Sequence, residues 1–222
     1  MVIIDGVYSQ QADIAHLDQI VKLCKHYGVY LAMDDAHGIG VIGETGRGVM
    51  ELYDLFKEVD IITGTFSKTF GHLGGYVVAD ASLINFLKFQ ARQHIFSVTA
   101  TPASCCILKS IDLIDEEPWW IEKLWKNILY LREGLQELGL DTGNTQSAII
   151  PVMTGNPTTN AEVCKLLMEA GVYANQIGYP AVPRKNARIR ISVMATHTQE
   201  HLDRVLNAWE WVKTKSNIKN FE

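Results

Sequence analysis

The sequence predicts an α/β fold, with a mostly parallel sheet layer over residues 1–110 and a smaller α+β domain over 111–222. Three observations carry this. A strand–helix–strand unit opens the chain, and two strands joined through a helix pair in parallel. Two further apolar runs, Val59–Thr63 and Gly74–Ala79, extend the same layer. The pattern then changes near Asp112–Pro118, where a long amphipathic helix begins a new set of elements.

Taken in order, Val2–Ile4 reads as a short buried strand. Leu17, Ile20, Leu23 and Cys24 recur at helical spacing, and Gly28 supplies the stop. Val29–Met33 is the returning strand. After Val59–Thr63 and Gly74–Ala79, Ser82 is expected to cap a helix carrying Leu83, Phe86 and Leu87. From Trp119 a helix places Ile121, Leu124, Trp125, Ile128, Leu131, Leu135 and Leu138 on one face. Ile149–Met153 follows as a strand, and Thr159 with Glu162 three residues on signals a helix start. Gly171 ends that helix. Val172–Ala174 and Ala187–Val193 read as strands, and a last helix spans about Gln199–Lys213. Trp119, Trp125 and Tyr130 form an aromatic stripe suited to a core or an interface.

Composition narrows the function classes. With 222 residues, 47% hydrophobic and 20% charged, the chain has the makeup of a soluble globular protein. A net charge of -5 argues against a nucleic-acid partner, which calls for clustered cations. No apolar run reaches the roughly 18–20 residues of a membrane span. Cys24, Cys105, Cys106 and Cys164 lack Cys-x-x-Cys spacing, which points to free buried thiols and a cytoplasmic setting.

The most informative segment is Gly64-Thr65-Phe66-Ser67-Lys68-Thr69-Phe70-Gly71, a lysine in a short turn between two strands. An amine attacks a carbonyl only when neutral, so a reactive lysine is expected where desolvation or nearby cations favour that form. Small neighbours leave room for a flat cofactor, and Thr65 and Ser67 can donate to a phosphate. Upstream, Asp34-Asp35-Ala36-His37-Gly38 lies just past a strand, where open α/β sheets form their ligand crevice. A carboxylate there suits a cationic ring nitrogen, and an imidazole can bond a phenolic oxygen, two demands of a pyridoxal ring.

Two other patterns are set aside. Gly38-x-Gly40-x-x-Gly43 matches a dinucleotide fingerprint, but two carboxylates precede it, and Gly46 and Gly48 continue the loop where a helix should open. His197-Thr198-Gln199-Glu200-His201 matches a zinc pattern, yet Thr196 with Gln199 reads as a capping box, so no metal is expected. Arg188 and Arg190 alternate on a strand and share a face, where a guanidinium fork fits a carboxylate.

Together, Gly6-Val7-Tyr8-Ser9, Asp34-Asp35-Ala36-His37-Gly38, Gly46-Arg47-Gly48, Gly64-Thr65-Phe66-Ser67-Lys68 and Ala187-Arg188-Ile189-Arg190 resemble the α-oxoamine synthase family. The resemblance implies the aspartate aminotransferase fold (fold type I) and dependence on pyridoxal 5'-phosphate. It implies a cytoplasmic acyltransferase that condenses an amino acid such as glycine, serine or alanine with an acyl-CoA, usually with decarboxylation. By the same resemblance Lys68 captures the cofactor aldehyde and then serves as base and acid at the substrate α-carbon. Asp34 would pair with the pyridinium nitrogen and His37 with the phenolic oxygen. Ser9 would lie against the cofactor, Thr65 would contact its phosphate, and Ser97 would reach the neighbouring subunit's phosphate in a homodimer with shared sites. Arg190 would hold the amino-acid carboxylate. A class I/II aminotransferase and a non-catalytic remnant of the family are the alternative readings.

The chain departs from the family at three places. Gln10-Gln11-Ala12 stands where Met-Asp-Gly is frequent, and His72-Leu73 replaces small residues after the lysine loop. Ala181 stands where biotin-pathway members tend to carry threonine. Family members also carry a further N-terminal portion, so the expectation is a partial large domain with apolar sheet surface exposed.

Overall fold

The computed structural model describes residues 1–96 and 101–216. The chain divides into two compact units, one of Met1–Val7 with Ile14–Pro118 and one of Tyr8–Asp13 with Trp119–Glu222. The contact division thus falls after Pro118, and the short Tyr8–Asp13 segment joins the second unit.

The first unit is built on β1 (Val2–Asp5), β2 (Leu31–Asp34), β3 (Ile61–Thr65) and β4 (Gly75–Ala79), which lie side by side in that order. β1, β2 and β3 are parallel and β4 is antiparallel to β3. The crossover helix α1 (Leu17–Tyr27) buries Leu17, Val21 and Cys24. Gly28, at φ 60°, ends it in the left-handed conformation that costs glycine least. A short α2 (Val49–Tyr53) precedes β3, and α3 (Ala81–Gln90), α4 (Arg92–Phe96) and α5 (Cys105–Glu116) follow β4. Leu17, Leu31, Met33 and Val49 form the core, each almost fully buried.

The faces away from this core are apolar and open. β1 is an edge strand and not a buried one, with Ile3 70% exposed. Val77 and Val78 on the other edge, and Phe86 and Phe89 on α3, are exposed too. The expected exposure of apolar sheet surface is therefore present. α3 starts after Asp80 and not at Ser82, because the backbone leaves extended geometry there (φ -56°, ψ 148°). Cys24 is buried, but Cys105 and Cys106 are exposed.

The second unit packs a three-stranded antiparallel sheet against helices. Its elements are α6 (Trp119–Glu137), β5 (Ile149–Met153), α7 (Pro157–Glu169), β6 (Asn175–Ile177), β7 (Arg188–Ser192) and α8 (Gln199–Lys215). β7 is central, between β5 and β6. Ile128, Leu131 and Leu135 of α6 meet a core that includes Ile150, Val163, Ile189 and Trp209. Trp119 and Tyr130 stay outside it: Trp119 stacks on Trp120 at 4.0 Å, and the Tyr130 hydroxyl donates to Asp203 at 2.6 Å.

Three local expectations shift. The cap of α7 is Asn156, whose side chain accepts from Thr159 N with Pro157 in the first turn. The last edge strand is Asn175–Ile177 and not Val172–Ala174, because pairing with β7 selects it. α8 is capped by Thr198 and His201, not by Thr196 and Gln199. There Nδ1 of His201 accepts from Thr198 N, and Nδ1 of His197 accepts from Met194 N, both at 3.2 Å. No helix among the described residues is long and apolar enough to cross a membrane.

Candidate active site

In the first unit the parallel strands β1, β2 and β3 bring their carboxyl ends to one side of the sheet. Register sets Asp5 beside Asp34 and Asp34 beside Thr63, so these three side chains share a face. The Asp34 carboxylate is exposed, and its Oδ1 accepts from Ala36 N at 2.9 Å. The Asp5 carboxyl is raised above its ordinary value, first by burial and then by the Asp34 charge, while the Lys68 charge works against both. One group thus senses both Asp34 and Lys68, so the amine and the carboxylate lie at the same end of the sheet.

Lys68 sits in the loop joining β3 to β4. Phe66 N donates to Gly74 O at 3.0 Å and His72 N to Phe66 O at 2.7 Å, which closes the loop upon itself. Thr65 Oγ1 and Ser67 Oγ are 2.7 Å apart, and Ser67 N donates to Thr65 Oγ1 at 3.1 Å. Nδ1 of His72 lies 3.1 Å from Leu73 O, so this ring binds within its own loop. The setting of Lys68 differs from expectation. The side chain is exposed, because the loop runs past the end of β3, and its charge reaches the acid Asp5.

The lysine loop is tied to the segment after β2. Thr69 Oγ1 donates to Ile39 O at 2.8 Å, and a Cβ at Gly40 would stand 2.2 Å from Thr69 Cγ2. Only glycine admits Thr69 at that point. His37 lies in the turn between Asp34 and this contact. Further along, Glu51 accepts from Thr45 N, Thr45 Oγ1 and Arg47 N at 2.8–2.9 Å. Burial works to raise the Glu51 carboxyl, but these donors and the Arg47 charge outweigh it and hold the group low. Tyr76, opposite Gly64 on β4, has its phenol pushed up to about 12 by burial, then by Asp35 and Asp34.

Ser9 and Arg190 belong to the second unit. Arg190 Nε donates to Ser9 O at 2.7 Å and Nη1 to Ser192 Oγ at 3.0 Å. Arg188 is buried and donates to Asn186 O and Gln10 O. Burial pushes both guanidinium groups down. The Gln10-Gln11-Ala12 departure keeps a tight turn: Ala12 takes φ 67°, where an L-residue pays about 1–2 kcal/mol. Ser97 lies outside the described residues.

Asp5, Thr69 and Tyr76 escape the sequence reading. Strand register reveals Asp5, and the one signal for Thr69 is the unexplained Gly40. The donor set fits a pyridoxal phosphate: an exposed amine, a carboxylate at the same sheet end and the hydroxyls of Thr65 and Ser67 for an anion.

Comparison with known proteins agrees with this chemistry. The chain is 40% identical to an 8-amino-7-oxononanoate synthase of Thermosipho melanesiensis, over 98% of this chain and 56% of that protein. It is also 40% identical to a serine palmitoyltransferase of Sphingobacterium spiritivorum, over 99% of this chain and 55% of that one. Among solved structures, a lysine-to-alanine serine palmitoyltransferase of S. paucimobilis with a bound PLP–myriocin aldimine matches at a TM-score of 0.90 and 32% identity. That match covers 96% of this chain and 55% of the other. The chain spans about half the length of the curated relatives it matches. The α/β fold expected from the sequence, fold type I with a mostly parallel sheet and an antiparallel small one, is the fold found. The family model for aminotransferase class I and II matches residues 1–208, so the chain belongs to that family.

Proposed function

We propose that the chain works as an α-oxoamine synthase, a pyridoxal-phosphate-dependent acyltransferase that joins an amino acid to the acyl group of an acyl-CoA, usually with loss of carbon dioxide. One observation carries this: strand register sets Asp5 beside Asp34 at the carboxyl end of the sheet, and the Asp34 and Lys68 charges both reach the Asp5 carboxyl there. Identity of about 40% to two such synthases supports the acyl-transfer class over transamination.

Bound pyridoxal phosphate supplies an electron sink for the bonds at the amino-acid α-carbon. The residues of this chain do the rest. The Lys68 amine holds the cofactor aldehyde and moves the α-proton. The Asp34 carboxylate would pair with the ring nitrogen and favour its protonated form. The His37 imidazole bonds the phenolic oxygen, and the Thr65 hydroxyl takes part of the phosphate. Ser9 would lie against the cofactor, and Arg190 would offer its guanidinium group to the substrate carboxylate. By the family resemblance Ser97 would hold the phosphate of a second copy, in a homodimer with shared sites. Four free cysteines suit a reducing, cytoplasmic compartment.

The test is spectroscopic and then chemical. Adding pyridoxal phosphate is expected to give a visible absorption band in the wild type and none in Lys68→Ala. A band that survives in the variant refutes the lysine assignment. With glycine, serine or alanine and an acyl-CoA, the expected product is free thiol; keto acid without thiol release would instead identify an aminotransferase.

A further inference from the structure

Asp35 follows the acid assigned to the ring nitrogen, yet it has none of the roles above. Its amide donates to Thr63 O at 2.9 Å, continuing the β2–β3 ladder by one residue. Strand alternation therefore turns its side chain to the face opposite Asp34. There it is completely buried. Oδ2 accepts from Val49 N, the first amide of α2, at 2.8 Å. Oδ1 has no hydrogen-bond partner among the described residues.

The space for this carboxyl is made by glycines from three segments. A Cβ at Gly6, Gly38 or Gly48 would stand 2.5, 2.0 or 1.9 Å from a carboxyl oxygen, closer than any real contact. Gly6 follows β1, Gly38 closes the turn that carries His37, and Gly48 precedes α2. All three backbones converge on one side chain. Asp35 O also accepts from Gly38 N at 3.0 Å and Ile39 N at 3.2 Å, which folds that turn back onto the same residue.

We propose that Asp35 is a positioning residue: its buried carboxyl clamps the Gly6, Gly38 and Gly48 segments together and so fixes the turn that presents Asp34 and His37. The clamp works as a neutral acid. An ionised carboxylate with one orphaned oxygen is costly in a buried site, and protonation removes the charge, the larger part of that cost. Burial, with the Asp34 charge adding to it, pushes the group up to about 7 against the pull of the Val49 amide. Among the described residues, Asp34 and Tyr76 are titratable groups coupled to this position.

The inference takes its catalytic meaning from the cofactor reading, but its test does not depend on that reading. Hydrogen exchange is compared in the wild type, Asp35→Asn and Asp35→Ala, each as the full chain. Asparagine keeps the acceptor for Val49 N and the shape of the neutral acid. Alanine removes both. The amides of Ala36, His37, Gly38 and Val49 are expected to lose protection by about tenfold or more in Asp35→Ala and to stay within about twofold in Asp35→Asn. Ile150 and Ile189, in the second unit, serve as controls that do not change. Infrared spectra at about pH 6 should contain a protonated-carboxyl band in the wild type that vanishes in Asp35→Asn.

A pyridoxal phosphate titration adds a separate arm, with affinity about tenfold weaker in Asp35→Ala and kept in Asp35→Asn. If the wild type binds no cofactor, the functional reading fails while exchange and infrared still decide the clamp. Unchanged protection of residues 36–38 in Asp35→Ala, loss of protection in Asp35→Asn, or no carboxyl band in the wild type overturns it.

Discussion

Removing the Asp35 charge is expected to flatten the dependence of stability on pH. The folded carboxyl titrates at about 7, whereas an unfolded aspartate titrates near about 4. The group's folded value is therefore raised, and its effect has one sign. Below about pH 4 both states hold the proton, and Asp35 contributes nothing. Between about pH 4 and 7 the unfolded chain releases the proton while the folded chain keeps it, so stability falls as pH rises. Above about pH 7 both states are ionised and the loss levels off. Three pH units at about 1.4 kcal/mol each give a total of about 4 kcal/mol. Asparagine cannot titrate, so Asp35→Asn should gain about that much on the wild type between about pH 4 and 8.

Urea denaturation of both proteins across that range measures the difference directly. Other groups cancel in the comparison. Asp5 is raised, first by burial, and His197 is lowered, first by burial and then by His201, but both are present in either protein. Tyr76 titrates near about 12, outside the range. Parallel pH profiles for the two proteins would refute the buried-acid reasoning.

Two further perturbations test how the site and its surroundings are held. Thr69→Val keeps the shape beside Gly40 but loses the bond to Ile39 O, leaving that carbonyl short of a donor. The expected cost is about 1 kcal/mol, seen as faster hydrogen exchange in the lysine loop, with the second unit unchanged. Asn156→Ala removes the cap of α7 and should lower stability by about 1 kcal/mol in denaturant titration; an unchanged midpoint contradicts the assigned cap.

What could be read from the sequence follows from how local each feature is. The unit from β1 through α1 to β2 was legible because period, stop and return strand all lie within about thirty residues. Asp34, His37 and Lys68 stand out in the sequence as candidates because each sits in a short motif whose chemistry implies its neighbours. Caps were not legible: Ser82, Thr159 and Thr196 are good capping residues, but the backbone leaves extended geometry and enters the helix after Asp80, Asn156 and Thr198 instead. β6 is chosen by its pairing with Arg188–Arg190 and not by hydrophobicity, so the apolar Val172–Ala174 misleads. Asp35 has no role in the sequence reading, and only the register that turns it to the face opposite Asp34 reveals one. The glycines at 6, 38 and 48 look like ordinary turn residues until the carboxyl they enclose is seen.

The most direct measurement is chemical capture at a single amine. Pyridoxal phosphate is added to the chain, the adduct is reduced with borohydride, and peptides are mapped by mass spectrometry. The account predicts one dominant label, on Lys68, that weakens when Asp34 is replaced by alanine. Label spread over surface lysines, or unaffected by the loss of Asp34, would contradict it.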